Sequence, residues 1–133
     1  MTLLDTHALV WLTEGSRRLG AEAQRLADAA LADEQLAVSA ITFWEIAMLQ
    51  SKGRIELRRA PESWRAELLD LGLHEIPVDG GIGIAAAALP VFHQDPADRI
   101  IVATASLAGA TLLTADQRIL AWSGTLRTHD AGL

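Results

Sequence analysis

Cysteine is absent from this chain of 133 residues, and lysine occurs only once. Without thiols there can be neither disulfides nor thiolate metal sites, and cysteine usage says nothing about the redox compartment. The 17 acidic residues outnumber the 11 basic ones, which leaves a formal net charge of −6. Overall electrostatic attraction to nucleic acid is therefore not expected, and any such binding needs a local basic patch or a metal ion.

Targeting signals and long hydrophobic runs are missing as well. The first residues lack the basic segment and the long apolar core of a signal peptide. The most apolar stretch, residues 80–92, is too short to span a bilayer and contains Pro90. These absences predict a soluble, cytoplasmic protein with no membrane partner.

Apolar residues are abundant, at 50% of the chain. This is a high share for a small protein. Two explanations stay open: a core that fills both sides of a sheet, or an apolar surface that a second chain covers. The length fits a single domain that spans residues 1–133.

Short strand-like runs alternate with helix-like runs along the chain. The predicted strands cover residues 2–5, 36–39, 73–78, 111–114 and, as a short fifth strand, 125–128. The predicted helices cover residues 7–12, 22–32, 41–51, 61–71, 83–89, 95–107 and 116–122. This alternation predicts crossover connections and an α/β fold with a parallel sheet covered on both faces. In such sheets, functional sites form beyond the carboxyl ends of the strands.

Four acidic residues lie against apolar runs instead of on a polar face: Asp5, Glu45, Asp98 and Asp116. Carboxylates are rarely buried unless a positive group compensates them. Asp5 ends the first predicted strand and Asp116 follows the fourth, so the pattern alone places both at the carboxyl edge of the sheet. If folding brings all four together, a hard divalent cation is the simplest partner, and such a site suits phosphodiester or phosphoryl chemistry.

Each of these acids also has a purely structural explanation. Asp5 and Asp116 could cap the helices that follow them. Asp98 falls in the first turn of a helix that Asp95 can cap, and the helix dipole stabilises a negative charge at that position. Glu45 falls on an apolar stripe with residues 41, 44, 48 and 49, and a salt bridge to a distant arginine could explain it. The joint occurrence of the four acids is more specific than any one of them.

In their order and spacing, these residues resemble the PIN-domain nucleases, and within them the VapC-type toxins of bacterial toxin–antitoxin pairs. The matching segments are Asp-Thr at 5–6, Ser39 followed by Trp-Glu at 44–45, Asp-Pro-Ala-Asp-Arg at 95–99 and Leu-Leu-Thr-Ala-Asp at 112–116. The resemblance covers essentially the whole chain. It implies a three-layer α/β/α sandwich around a mostly parallel five-stranded sheet.

The resemblance also implies an activity and a site. The chain would be a toxin and an endoribonuclease that needs Mg²⁺ or Mn²⁺ to hydrolyse RNA phosphodiester bonds. Its partners would be a cognate antitoxin and a second copy of the chain. The catalytic and metal-binding acids would be Asp5, Glu45, Asp98 and Asp116, with supporting polar residues at Thr6, Ser39 and Thr114.

RNA would have to be held despite the acidic balance of the chain. Lys52, Arg54, Arg58 and Arg59 lie in one short segment and could follow the phosphates. A solvated loop is the structural alternative for this basic segment. The sequence around His93 is too sparse in ligands to predict a metal site.

Two other functions stay open. One is a non-catalytic PIN-like module that binds a protein partner, which would explain apolar surface but not the four acids. The other is a nuclease of the same fold that acts on DNA or on a particular nucleic-acid structure. Metal-dependent cleavage of RNA in preference to DNA separates these alternatives.

Overall fold

The structure, a computed structural model, describes residues 1–90, 94–122 and 124–133, so His93 lies outside the described residues. Its strands are β1 (Thr2–Leu4), β2 (Leu36–Ser39), β3 (His74–Ile76), β4 (Thr111–Thr114) and β5 (Arg127–Asp130). Its helices are α1 (Thr6–Thr13), α2 (Ala21–Ala32), α3 (Ala40–Ser51), α4 (Pro61–Asp70), α5 (Gly80–Ala88), α6 (Pro96–Ala108) and α7 (Gln117–Ala121). Among the described residues, no helix is both long and apolar enough to cross a membrane.

The strands form one sheet in the order β3-β2-β1-β4-β5, and every neighbouring pair is parallel. The central strand β1 aligns Leu4 with Val38 of β2 on one side and with Leu113 of β4 on the other. The chain winds from β1 towards β3 on one side and continues through β4 to β5 on the other. The winding direction therefore reverses between β1 and β4, and ligands of open parallel sheets bind at such a switch point.

Alternate residues of the central strands point to opposite faces of the sheet, and both faces are buried. Leu4 belongs to one core cluster, which the helices α1, α2 and α3 complete with residues such as Leu9, Ala23 and Ile46. Leu3 belongs to a second cluster on the other face, where α6 contributes Ile101. This arrangement confirms the predicted three-layer α/β/α class, and the sheet is parallel throughout.

The element boundaries differ from the prediction mainly at the sheet edges. Strand β5 covers residues 127–130 and not 125–128, because its residues align one by one with those of β4. Strand β3 is shorter than the predicted 73–78 and ends just before Pro77, which has no N–H to donate to a ladder. Helix α5 begins at Gly80 and not at residue 83, because the side chain of Asp79 accepts a hydrogen bond from Ile82 N at 2.9 Å and caps it.

Helix α3 turns a different face to the core than predicted. Thr42 and Ile46 are completely buried, whereas Trp44, on the predicted buried stripe, is 57% exposed. Most positions in the helix carry apolar residues, so periodicity alone could not select the buried face. Glu45 consequently lies half-buried beside the buried line of the helix.

Candidate active site

A cavity of about 360 Å³ lies at the carboxyl ends of β1 and β4, where the winding of the sheet reverses. Helices α1, α3 and α6 and the loop after β4 each contribute to its lining. All four acids that the sequence singled out line it together. The lining residues are Asp5, His7, Trp11, Glu45, Asp95, Asp98, Ala115 and Asp116.

Asp5 follows β1 and begins α1. Its Oδ1 accepts a hydrogen bond from the backbone N–H of His7 at 3.0 Å, and its Oδ2 accepts one from the hydroxyl of Thr114. The residue is only 6% exposed. Burial raises the pKa of Asp5 more than these hydrogen bonds lower it, and the negative charge of Asp116 raises it further.

Glu45 reaches the cavity from α3. Its Oε1 accepts a hydrogen bond from the hydroxyl of Thr6, which lies 3.2 Å from the hydroxyl of Thr42. Burial raises the pKa of Glu45, the hydrogen bond from Thr6 opposes this, and the charges of Asp95 and Asp5 add to the increase. The distant arginine was only the structural alternative for Glu45, and the group that donates to its carboxylate here is the buried hydroxyl of Thr6.

Asp95 and Asp98 come from the start of α6. Oδ1 of Asp95 accepts hydrogen bonds from Ala97 N at 2.9 Å and Asp98 N at 3.4 Å, so Asp95 caps the helix as predicted. One carboxylate oxygen from each of Glu45, Asp95 and Asp98 lies within 4.8 Å of the others. Oxygen donors grouped in this way fit a hard divalent cation.

Asp95 lines the cavity although it is not among the four acids predicted from the sequence, where its role as a helix cap already explained it. A usable signal was present. Asp95 and Asp98 are three residues apart at a helix start, and residues at this spacing are neighbours on one face. One acid at the N-cap and another in the first turn of a largely apolar helix therefore indicate a shared face.

Asp116 follows β4 and begins α7. Its Oδ1 accepts hydrogen bonds from Arg118 N at 2.8 Å and Ile119 N at 3.2 Å, and its own N–H donates to the hydroxyl of Thr114 at 3.0 Å. Asp116 therefore caps α7 and also lines the cavity. Because Thr114 also donates to Asp5, one hydroxyl joins the two acids that follow the central strands.

The three supporting polar residues are all buried: Thr6, Ser39 and Thr114. Thr6 and Thr114 contact acids of the cavity directly. Ser39 accepts a hydrogen bond from Ile41 N at 3.2 Å and caps α3. It therefore fixes the start of the helix that carries Glu45, and its supporting role at the site stays a prediction.

Two arginines of the basic segment pair with acids that do not line the cavity. Arg58 faces Glu14 at 4.0 Å, and Arg59 pairs with Glu67 at 2.8 Å. Within the part of the chain that the structure describes, no basic residue of this segment lines the carboxylate cavity. Folding thus brings the predicted acids together in one cavity, and the basic segment is not part of its lining. The contact of this segment with RNA stays a prediction for Lys52, Arg54, Arg58 and Arg59.

Residues 2–122 match the family model of the PIN domain. The chain is 36% identical over 118 residues to Ribonuclease VapC22 of Mycobacterium tuberculosis (strain ATCC 25618 / H37Rv), with 88% of each chain covered. A toxin-antitoxin complex from Klebsiella pneumoniae contains a chain with a TM-score of 0.65 and 23% identity over 98% of both chains. A chain in the structure of VapBC2 from Rickettsia felis, which is bound to a DNA fragment from its promoter, matches with a TM-score of 0.70 and 15% identity over 96% of both chains. These two structural matches show a shared fold, and the family match together with the 36% identical relative shows that the chain belongs to the PIN domain family.

Proposed function

We propose that the chain is a metal-dependent endoribonuclease and the toxin of a toxin–antitoxin pair. The observation that carries this proposal is the convergence of five carboxylates in one cavity at the switch point of the sheet. The acids are Asp5, Glu45, Asp95, Asp98 and Asp116. The relative with 36% identity is a ribonuclease, which supports RNA as the substrate.

The carboxylates of the cavity fit Mg²⁺ or Mn²⁺. Glu45, Asp95 and Asp98 offer grouped oxygen atoms, which are the donors that hard cations prefer. Asp5 and Asp116 line the same cavity and would complete the set of anionic ligands. A divalent ion bound here would activate a water molecule and stabilise the leaving oxygen of the phosphodiester.

The residues of the chain prepare this chemistry by fixing the acids. The hydroxyls of Thr6 and Thr114 each hold one oxygen of an acid, which leaves fewer rotamers for Glu45 and Asp5. A carboxylate with a raised pKa takes up a proton more readily than an ordinary one. Because burial raises the pKa of Glu45, this residue suits the role of orienting and deprotonating the attacking water.

The same comparisons support a protein partner. One structurally similar chain comes from a toxin–antitoxin complex, which supports a cognate antitoxin for this chain. Exposed apolar side chains such as Trp44, Ile84 and Leu107 are suited to contacts with an antitoxin or with a second copy in a homodimer. In this proposal residues 1–133 act as one nuclease domain on cytoplasmic RNA.

Cleavage assays with single-stranded RNA and sequence-matched DNA test the proposal. Each substrate is incubated with the protein in Mg²⁺, in Mn²⁺ and in EDTA. We expect both metals to support RNA cleavage, EDTA to abolish it, and Asp5→Asn to abolish it while the variant stays folded. Asp79→Asn is the matched control, because Asp79 also caps a helix but does not line the cavity.

The alternatives give different outcomes in the same assay. Cleavage of DNA as fast as RNA would favour a DNA or structure-specific nuclease. An active Asp5→Asn protein would contradict the assignment of the carboxylate site. If no RNA is cleaved with either metal, the non-catalytic interaction module becomes the better account.

A further inference from the structure

Two aromatic rings share the cavity with the carboxylates. His7 and Trp11 are four residues apart in α1, so they lie on the same face of the helix. Their ring centroids are 6.5 Å apart, and the ring planes are tilted by 60°. Among the described residues that line the cavity, the others are the five acids and Ala115. The cavity thus has an acidic part and an aromatic part.

The fold holds the backbone of His7 and the ring of Trp11 in place. The backbone N–H of His7 donates to Oδ1 of Asp5, which ties the start of α1 to the acid that precedes it. The indole of Trp11 is half-buried and packs against the core cluster that contains Leu9. One side of Trp11 is therefore anchored in the core while the residue still lines the cavity. His7 is exposed and is free of any packing role in the core.

A cation bound at the carboxylates would attract a phosphate of an RNA strand, but it would not hold the bases of that strand. The chain carries a net charge of −6, and five carboxylates line the cavity. The basic segment that the sequence offered for phosphate binding does not line it. Stacking on an aromatic ring does not depend on charge, and every nucleobase has a face that can stack.

We propose that His7 and Trp11 form an aromatic platform for single-stranded RNA: the nucleobase next to the scissile phosphate stacks on the indole of Trp11, and the ring of His7, tilted by 60°, contacts the edge of that base. The inference rests on the proposed ribonuclease activity and deepens it. Only a ribose separates a base from its phosphate, so a phosphate at the carboxylates brings the adjacent base to the neighbouring rings. The two residues position the substrate, and the acids carry out the chemistry.

A base-dependence measurement tests this platform directly. The probes are a short fluorescein-labelled single-stranded RNA and an oligomer of the same length whose ribose-phosphate backbone lacks bases. Fluorescence anisotropy measures their binding with Ca²⁺ in place of Mg²⁺, and a gel checks that the RNA stays intact. We expect the wild-type protein to bind the RNA more tightly than the abasic oligomer, by about five-fold to about a hundred-fold.

Paired substitutions separate stacking from other roles. His7→Ala and Trp11→Leu remove a ring and should each lose most of the preference for bases. His7→Phe and Trp11→Phe keep a ring and should retain the preference for bases. If His7 acted by hydrogen bonding, His7→Phe would lose that preference. Trp44→Leu is the matched control, because Trp44 is exposed beside Glu45 but does not line the cavity. Its preference for the RNA over the abasic oligomer should equal that of the wild-type protein.

The outcomes distinguish this inference from the function on which it rests. An unchanged preference for bases in both His7→Ala and Trp11→Leu overturns the platform even if the protein cleaves RNA. A wild-type protein that cleaves no RNA overturns the proposed function instead. A change confined to self-association in sedimentation means that the rings contact a second copy, which also overturns the platform. Thermal unfolding is used to check that Trp11→Leu is folded. Because His7 is exposed, His7→Ala should fold normally and tests the platform independently of Trp11→Leu.

Discussion

Asp5 and Glu75 are two carboxylates associated with the same parallel sheet, and their surroundings shift their pKa values in opposite directions. Glu75 lies in the edge strand β3 and accepts two hydrogen bonds from Arg65, from Nε at 2.7 Å and from Nη2 at 2.8 Å. These bonds hold the pKa of Glu75 below its ordinary value. Asp5 accepts from a hydroxyl and a backbone N–H, and burial raises its pKa.

The difference separates a carboxylate that stabilises the fold from one that is destabilised when ionised and that we propose for metal binding. The lowered pKa of Glu75 contributes stability above its ordinary pKa, and that stability is lost as the pH falls through the lowered value. The raised pKa values of Asp5 and Glu45 act in the opposite sense. Their favourable contribution is present below their ordinary pKa and is lost as the pH rises through the raised values. Near neutral pH, the metal-free cavity therefore costs stability that a bound cation would restore.

After the loss of cleavage expected for Asp5→Asn, the largest effect is expected where the hydroxyl that donates to Asp5 is removed. Thr114→Val keeps the shape of the side chain but loses the hydroxyl that joins Asp5 to Asp116. Groups that orient metal ligands typically contribute about ten-fold to a hundred-fold to metal affinity or activity, and we expect losses of this size in RNA cleavage and in Mn²⁺ affinity. Thr111→Val, at the other end of β4, is the control. Unchanged Mn²⁺ affinity in Thr114→Val would contradict an orienting role.

A smaller loss is expected from Asp95→Asn, which separates capping from ion binding. Asparagine caps helices about as well as aspartate, so α6 should keep its stability while the cavity loses one negative charge. We expect Mn²⁺ affinity, measured by calorimetry, to fall roughly ten-fold. The capping variant Asp79→Asn should leave Mn²⁺ affinity unchanged. Equal Mn²⁺ affinity in the wild-type protein and in Asp95→Asn would mean that Asp95 caps the helix and does not bind the ion.

The third prediction concerns stability without metal. Asp5→Asn should raise the Tm of the metal-free protein at neutral pH by about 2–5 °C, because it removes a buried charge. The gain should shrink as the pH falls and the wild-type Asp5 takes up its proton. Saturating Mg²⁺ should also shrink it, because the ion stabilises only the wild-type site strongly. A lower Tm for the variant in EDTA at neutral pH would refute this account.

The smallest effect is expected at the paired carboxylate. Glu75→Gln should lower the Tm slightly near neutral pH, because Arg65 loses its charged partner, and the difference should vanish in acid. The Arg65 side chain is 43% exposed, so the pair is screened and contributes modestly. Melting curves with and without Mg²⁺ should show the same small shift. A shift that depends on Mg²⁺ would show that the two carboxylate regions are coupled.

The central part of the sheet was readable from sequence because its strands are buried on both faces. The runs 36–39 and 111–114 appear as β2 and β4 with the predicted bounds. Asp5 and Asp116 follow β1 and β4, and the carboxyl ends of parallel strands meet at one edge. The position of these two acids at a shared edge therefore followed from local pattern and general rules of topology.

The parts that could not be read depend on contacts outside the local pattern. Strand β5 was misplaced because its register is set by β4. The buried face of α3 was wrong because an apolar helix carries little information about its orientation. Asp95 was missed because one local role, the helix cap, already accounted for it. The basic segment of residues 52–59 was grouped by sequence proximity, which says nothing about its distance from the cavity.

The sequence by itself determined the α/β class, the central strands and the choice of four acids as candidates for the site. These features follow from hydrophobic runs, capping residues and acids in apolar settings, which act over a few residues. Only the tertiary structure decided that Thr114 donates to Asp5 across 109 positions, that Thr6 reaches Glu45 across 39, and that His7 and Trp11 face the same cavity. Such contacts depend on strand order and helix orientation, which are settled when the whole chain packs.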